Sequence, residues 1–511
     1  MQEGAAAQIS ADPFAVAAFL GYLGVIIAIG VLSARFSSAG VSEFFVGGRK
    51  MHRFVVALSA VVSGRSAWLL LGVTGMAYSI GAGAVWAVTG YITAELFLFL
   101  FYARRLRHFS EVHDCVTVPD FYAARFGDHD GRLRMVLIAI ILIFMVGYVS
   151  SQFVGGGKAF AASFGLHPTT GVILTAVIVL AYTTMGGFLA VSLSDTLQAC
   201  IMIVALVVVP VIAILDRGSL GAVIGELRTF DPTTIDPFAL SVGVIIGFLG
   251  IGLGSPGNPH IIVRYMSIAE PDQLRTSAVV GTVWNVVMAW GALFIGLAGR
   301  VYFPDVAMLP DADTEQLYPL LAAQHLHPVA FGIVVASIFA AIISTADSQL
   351  LVAASSVVRD FYEKILHRGQ QIPQRRLVLY SRIVVVLLVS AALVVGLLAE
   401  ALVFWLVLFA WAGLGASFGP TSILALYWRR TTRAGVIAGL LTGTAITFAW
   451  ELVPWFDAQL ARLSSAFADG LYELVPAFLG GLLATVIVSR LTRPPEDADG
   501  MFVSMKPGRG P

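Results

Sequence analysis

The chain has 511 residues, of which 58% are hydrophobic and only 12% charged, and its 31 basic and 31 acidic side chains cancel to zero. A soluble domain carries about 25% charged residues, so this composition belongs to a protein that crosses a membrane many times. A neutral balance gives nucleic acid nothing to hold, and two cysteines, Cys115 and Cys200, are too few for a disulfide framework and read as free thiols.

From Met1 to Phe14 there are acidic groups and no Lys or Arg. A cleaved signal needs a basic region there, so the first apolar run reads as a retained span. Apolar runs of bilayer length, about 20 residues, recur about thirteen times. They fall at 14–34, 54–80, 84–102, 132–163, 168–186, 190–215, 237–260, 276–301, 328–358, 377–397, 400–427, 433–453 and 472–491. Span 2 is interrupted near Gly64, in Ala57-Leu-Ser-Ala-Val-Val-Ser-Gly-Arg-Ser-Ala-Trp68, and span 7 is interrupted at Gly250-Ile-Gly-Leu-Gly-Ser-Pro-Gly-Asn-Pro-His260. Backbone unwinds in a membrane only where it lines a cavity, so two broken spans in matching halves point to a secondary transporter. After span 13, residues 493–511 are rich in Pro, Gly and charge and predict a disordered tail.

Basic residues gather after span 1 (Arg35, Arg49, Lys50, Arg53), span 3 (Arg104, Arg105, Arg107, Arg125, Arg132, Arg134), span 9 (Arg359, Lys364, Arg368, Arg375, Arg376) and span 11 (Arg429, Arg430, Arg433). If each span crosses once, all four groups share one side, and Asp305, Asp311, Asp313 and Glu315 lie on the other. Lys and Arg stay cytoplasmic. The expectation is therefore an integral protein of the plasma (inner) membrane, with its N-terminus outside and its C-terminus cytoplasmic.

Several stretches resemble the sodium/solute symporter family, toward its sodium/proline branch. Ala57-Leu-Ser-Ala60 with Trp68-Leu-Leu-Leu-Gly72 resembles its second span. Tyr182-Thr-Thr-Met-Gly-Gly-Phe-Leu-Ala-Val191 followed by Asp195-Thr-Leu-Gln198 resembles its signature. Pro259-His-Ile-Ile-Val-Arg264, Ser344-Thr-Ala-Asp-Ser-Gln-Leu-Leu351 and Phe409-Ala-Trp-Ala-Gly-Leu-Gly-Ala-Ser-Phe-Gly-Pro420 follow in family order. The resemblance implies an all-α, leucine-transporter-type fold of five plus five inverted spans: 1–36 with span 1, 37–230 as the first repeat, 231–430 as the second, 431–492 as spans 12 and 13, and 493–511 as the tail. It implies alternating access and sodium-coupled symport of a small organic solute, an amino acid such as proline. Its partners would be solute, sodium ion and lipid bilayer, with no cofactor. An enzyme is disfavoured because no nucleotide loop or zinc motif is found, a receptor because no soluble domain follows span 13. A passive channel would differ by failing to accumulate solute.

Ala341, Ser344 and Thr345 share one helix face by their spacing. Two hydroxyls and a carbonyl make half an oxygen cage for a hard cation. The carbonyls of Val62 and Arg65 at the broken span are the expected remainder, and the resemblance implies that this is the sodium site. The alternative is that the two hydroxyls only bond back to their own helix. Sodium/proline symporters carry an aspartate where this chain has Gly64 and an uncharged residue where it has Arg65. A free guanidinium at about 5 Å would repel sodium by roughly 3 kcal/mol. Three readings of Arg65 stand open: an ion pair with Glu95, a fixed charge replacing sodium in a sodium-independent (proton-coupled or exchange) transporter, or a ligand for a substrate carboxylate.

For the solute pocket, the resemblance implies Trp68 and Tyr148. Ile251 and Ser255 stand where aromatic residues are expected, Asn258 where glutamine is usual, and Gln152 adds a polar group near Tyr148. Asp195 and Asp347 are candidates for a cap, a second ion site or a salt bridge. Lys158, near the outer end of span 4, is expected to snorkel to the interface.

Overall fold

A helix keeps each backbone N–H and C=O bonded within itself, which is why apolar runs in a bilayer become helices. The computed structural model describes residues 12–37, 40–399 and 402–506. Apart from one bridge between Met51 and Ile268, the regular structure among them is helical. Ten described helices are long and apolar enough to cross a bilayer, and the bent pair Val242–Gly257 with Pro259–Ser267 makes eleven. Two of the ten are double. Trp68–Val112 turns at Gly81 and joins the second half of span 2 to span 3. Pro168–Asp216 turns at Gly187, where φ is 61° and ψ is −169°, a backbone state that only glycine adopts at low cost. Its 49 residues would make a straight rod of about 74 Å, against a hydrocarbon core of about 30 Å. One added for each of those two turns brings eleven to the expected thirteen.

Several bounds differ from expectation. Span 7 begins at Val242 rather than 237 and, beyond its break, runs on to Ser267 rather than 260. Span 9 continues from 358 to Leu366, and span 3 from 102 to Val112, because charged residues are carried as helix outside the apolar layer. Span 11 begins at Val403, and residues 400–401 of its expected range lie outside the described residues.

Breaks in two spans shape the centre. In span 2 the helix Arg53–Ser63 closes with short bonds from Gly64 N to Val61 O and Arg65 N to Val62 O. Ser66 then takes φ 49°, and helix resumes at Trp68. In span 7 the chain tightens from Ile251 to Gly257 around Pro256, extends at Asn258, and restarts at Pro259 with a 51° bend. Glycines let span 3 press on this break. A Cβ on Gly90 would stand 2.3 Å from Leu249 O, and one on Gly252 would stand 2.3 Å from Gly90 O.

The basic loops meet at one end of the molecule. Arg49 pairs with Asp114 at 3.1 Å and donates to the carbonyls of Ser110 and Cys115. Arg134 bridges Asp120 (2.7 Å) and Asp360, tying the loop after span 3 to the end of span 9. Arg433 reaches Asp130 at 2.6 Å.

At the same end the tail departs from expectation. Only residues 507–511 of the predicted disordered segment lie outside the described residues; within the rest a short helix forms at Ala498–Val503, and its C-terminal end docks. Phe502 is buried between the guanidinium groups of Arg125 and Arg429, 5.2 and 5.6 Å from its ring centre. Met505 is also buried, and Ser504 bonds the His113 ring at 3.1 Å. Two apolar side chains in the right register, which composition does not reveal, hold the segment down. Replacing a buried aromatic ring by a methyl group costs about 3–5 kcal/mol in a core. Phe502→Ala is therefore expected to free the tail, read as faster limited proteolysis between 493 and 506, and an unchanged cleavage rate would contradict the docking.

Candidate functional site

The broken part of span 2 supplies the centre of the site. Two side chains stabilise its restart: Gln152 Oε1 accepts from Ala67 N at 3.0 Å, and Ser66 Oγ accepts from Trp68 N at 3.1 Å. Gln152 is thus a support for unwound backbone.

Span 9 approaches the same break. Ser344 Oγ donates to Val62 O at 3.4 Å and to Ala341 O at 3.1 Å. Thr345 Oγ1 is buried without a hydrogen-bond partner, which is costly unless something else meets it. The Ser344 hydroxyl thus joins Val62 to Ala341, and Thr345 follows it on the same helix. The Arg65 carbonyl is engaged by Leu69 N at 3.0 Å, as the first acceptor of the resumed helix. A set of carbonyl and hydroxyl oxygens with an orphaned hydroxyl fits a hard cation.

The Arg65 side chain turns toward span 3. It pairs with Glu95, and both side chains are buried, at 1% and 2% exposed. Its Nε donates to Val61 O at 3.2 Å, and its guanidinium carbon lies 3.8 Å from the Tyr91 ring centre. Asn285 of span 8 holds the other Glu95 oxygen at 2.7 Å. Gly64 is part of the same arrangement: a Cβ there would stand 2.9 Å from Ile261 Cδ1 and 3.7 Å from Glu95 Oε1. The Glu95 carboxylate therefore lies beside position 64, paired with Arg65.

Beside this pair lies a small cavity of about 10 Å³, roughly enough for one water. Arg65, Trp68, Tyr91, Tyr148, Ile251 and Trp411 are among its walls. Trp68, Tyr148 and Ile251 are placed as expected. Ser255 and Asn258 are not in the wall. Asn258 Nδ2 instead bonds Gly254 O at 2.8 Å and holds the break of span 7, while the Ser255 hydroxyl is buried without a partner. Gln152 is absent from the wall because it caps span 2.

Above Trp68 stands Phe404, stacked at 5.7 Å. Glu315 fixes its position from the loop after span 8. That carboxylate accepts from Val403 N at 2.9 Å and Phe404 N at 2.8 Å, capping the start of span 11, and pairs with Lys158 at 2.6 Å. Lys158 also reaches Asp313 at 2.8 Å, so at the end of span 4 it is paired with two acids of the loop after span 8. On the opposite side of the ion candidates, Asp195 accepts from Ser59 at 2.6 Å and pairs with Arg264 at 3.4 Å. Arg264 also bonds Ser348, which meets Ser63 at 3.2 Å, so spans 2, 6, 7 and 9 share one polar cluster. Asp347 Oδ1 accepts from Ser348 at 3.3 Å, and its Oδ2 has no partner.

With this geometry in view, residues 44–443 match the sodium:solute symporter family. The chain belongs to that family. Sodium/proline symporters of Staphylococcus aureus strains JH9 and JH1 are each 36% identical over 487 residues, spanning 94% of this chain and 93% of theirs. A substrate-bound, outward-open sodium-coupled sialic acid symporter superposes with a TM-score of 0.77 at 18% identity, over 94% of this chain and 99% of that one. A nucleobase-cation-symport-1 family transporter, closed around bromovinylhydantoin, gives 0.54 at 15% identity, over 90% and 98%. The symporter's fold is therefore leucine-transporter-type, and the protein is an integral membrane transporter, not an enzyme.

Sequence reasoning found the Arg65–Glu95 pair but missed Tyr91, Asn285, Arg264 and the capping role of Glu315. The acidic run Asp311–Glu315 signalled only orientation, and nothing local marks Asn285.

Breaking one side of a buried ion pair costs about 3–5 kcal/mol, whereas removing both is often near neutral. Arg65→Met alone should sharply reduce the yield of folded symporter, and Arg65→Met with Glu95→Gln should restore it, measured by fluorescence size-exclusion chromatography. A single variant as abundant as the double would refute this energetic role.

Proposed function

We propose that this symporter couples sodium entry to uptake of a small organic solute, an amino acid such as proline, by alternating access around the two broken spans. The observation that carries this reading is the bond from Ser344 to Val62 O at the break of span 2, with the buried, unpartnered Thr345 hydroxyl next in the chain and an aromatic-walled cavity against Gly64 and Arg65. The names of the 36%-identical relatives support both the ion and the solute class. In this reading 37–230 and 231–430 are the inverted repeats, with 1–36 and 431–492 peripheral. Sodium sits against the backbone carbonyls of Val62 and Arg65 and against Ala341, Ser344 and Thr345, and the solute against Trp68, Tyr148 and Ile251. The pairing of Arg65 with Glu95 weighs against Arg65 as a substitute cation, because its charge is already matched.

Removing one oxygen ligand weakens a bound ion more than it weakens the scaffold. Thr345→Ala should raise the sodium concentration for half-maximal proline uptake in proteoliposomes by about tenfold, with normal yield. Unchanged sodium dependence would remove Thr345 from the ion site, and full uptake without sodium would overturn the coupling.

Orientation belongs to the same proposal, with the N-terminus outside and the C-terminus cytoplasmic in the plasma membrane. The convergence of the basic loops and tail at one end supports it. Single cysteines at Arg105, Asp311 and Arg376, in a background lacking Cys115 and Cys200, should react with an impermeant thiol reagent from outside only at position 311. External labelling at position 105 would reverse the topology.

A further inference from the structure

We propose that Arg65, besides pairing with Glu95, anchors a carboxylate of the transported solute, so that the substrate class is compact molecules with one carboxylate on a largely apolar body. The inference rests on the reading of this cavity as the solute site. Among the described residues that wall it, Arg65 is the one charged group; the rest are a glycine, four aromatics and three aliphatics. A carboxylate taken from water into such a site needs a counter-charge and hydrogen-bond donors. Arg65 offers both. A guanidinium has five N–H donors in a planar fork, and the bonds to Val61 O and Glu95 use Nε and Nη2.

Two neighbours fit the same role. Trp68 belongs to the cavity wall, and its Nε1 is a buried donor without a hydrogen-bond partner. The second half of span 2 begins just beyond Arg65, so the positive end of its dipole faces the same place. Glu95 does not depend on Arg65 alone, since Asn285 holds its second oxygen. The guanidinium can therefore lie between two carboxylates.

Charge balance then links solute to ion. Without ligands, Arg65 and Glu95 cancel. A solute that is a simple monoanion adds one negative charge and sodium at Val62 and Ser344 adds one positive, so the loaded centre is again neutral; a zwitterion such as L-proline adds its ammonium charge as well, which the aromatic walls have to meet. Each ligand favours the other, and that coupling is reciprocal. The aromatic walls also suit an ammonium group if the solute carries one.

The test uses the purified full-length protein in sodium buffer with three probes: L-proline, propionate and L-prolinamide. Thermal unfolding and proteoliposome uptake report affinity. L-Proline or propionate should stabilise the wild type, and prolinamide should not. In the Arg65→Gln, Glu95→Gln double variant, affinity for the carboxylate probe should fall about tenfold to a hundredfold, the range for a lost hydrogen bond to a charged group. Maximal uptake should change less than the half-saturation concentration. Arg65→Lys, which keeps the charge but loses the fork, should fall between. Equal binding of prolinamide and L-proline, an unaltered affinity in the double variant, or no response to either carboxylate probe would overturn the proposal. Binding of propionate without L-proline would keep the anchor and reject the amino-acid solute. Arg65-dependent binding indifferent to sodium would reject the symport reading alone.

Discussion

A carbonyl or amide freed inside a bilayer has no water to turn to, and the rest of this structure depends on how two sets of freed groups are met. Span 2 opens at Gly64–Ala67, and span 7 tightens and breaks at Ile251–Asn258. Each break is held by side chains from other spans or from its own turn. Gln152 reaches over from span 4 to Ala67, Trp411 donates from span 11 to Ile251 O at 2.8 Å, and Asn258 folds back on Gly254. The irregular backbone survives because spans 3, 4, 9 and 11 enclose it, and the enclosed space is where ion and solute candidates meet.

The charges at the centre obey a second constraint: a buried charge must be matched where it stands. Arg65 and Glu95 match each other, Arg264 matches Asp195, and Lys158 matches Glu315. The first two pairs join different spans and the third joins span 4 to the loop after span 8, so each ties separate elements together. Glu315 illustrates the economy of such ties. One carboxylate neutralises span 4, caps span 11 and thereby holds Phe404 over Trp68.

Much of this was legible in the residues. The hydropathy pattern marks helices because lipid permits little else, and glycine, proline and a charge within an apolar run mark a break. The spacing of Ala341, Ser344 and Thr345 marks a face of oxygen ligands, and Arg65 in an apolar run calls for an acid, for which Glu95, within span 3, was the simplest candidate. Other features left no local trace. The resemblance placed Ser255 and Asn258 in the wall, yet Asn258 bonds Gly254 at the break of span 7 and Ser255 is buried outside the wall. The partners of Lys158 lie about 155 residues further along the chain.

By itself, the sequence determined that this chain crosses a membrane many times, that spans 2 and 7 are broken, and to which family it belongs. These follow from periodicity, composition and short motifs, which are local properties of the chain. The tertiary structure alone decided which groups meet: Glu315 with the start of span 11, Asn285 with Glu95, Arg264 with Asp195, and Phe502 with Arg125. Those contacts join residues far apart in the chain. Whether a polar group in a membrane protein is costly or useful depends on the partner that packing brings to it, and no local pattern names that partner.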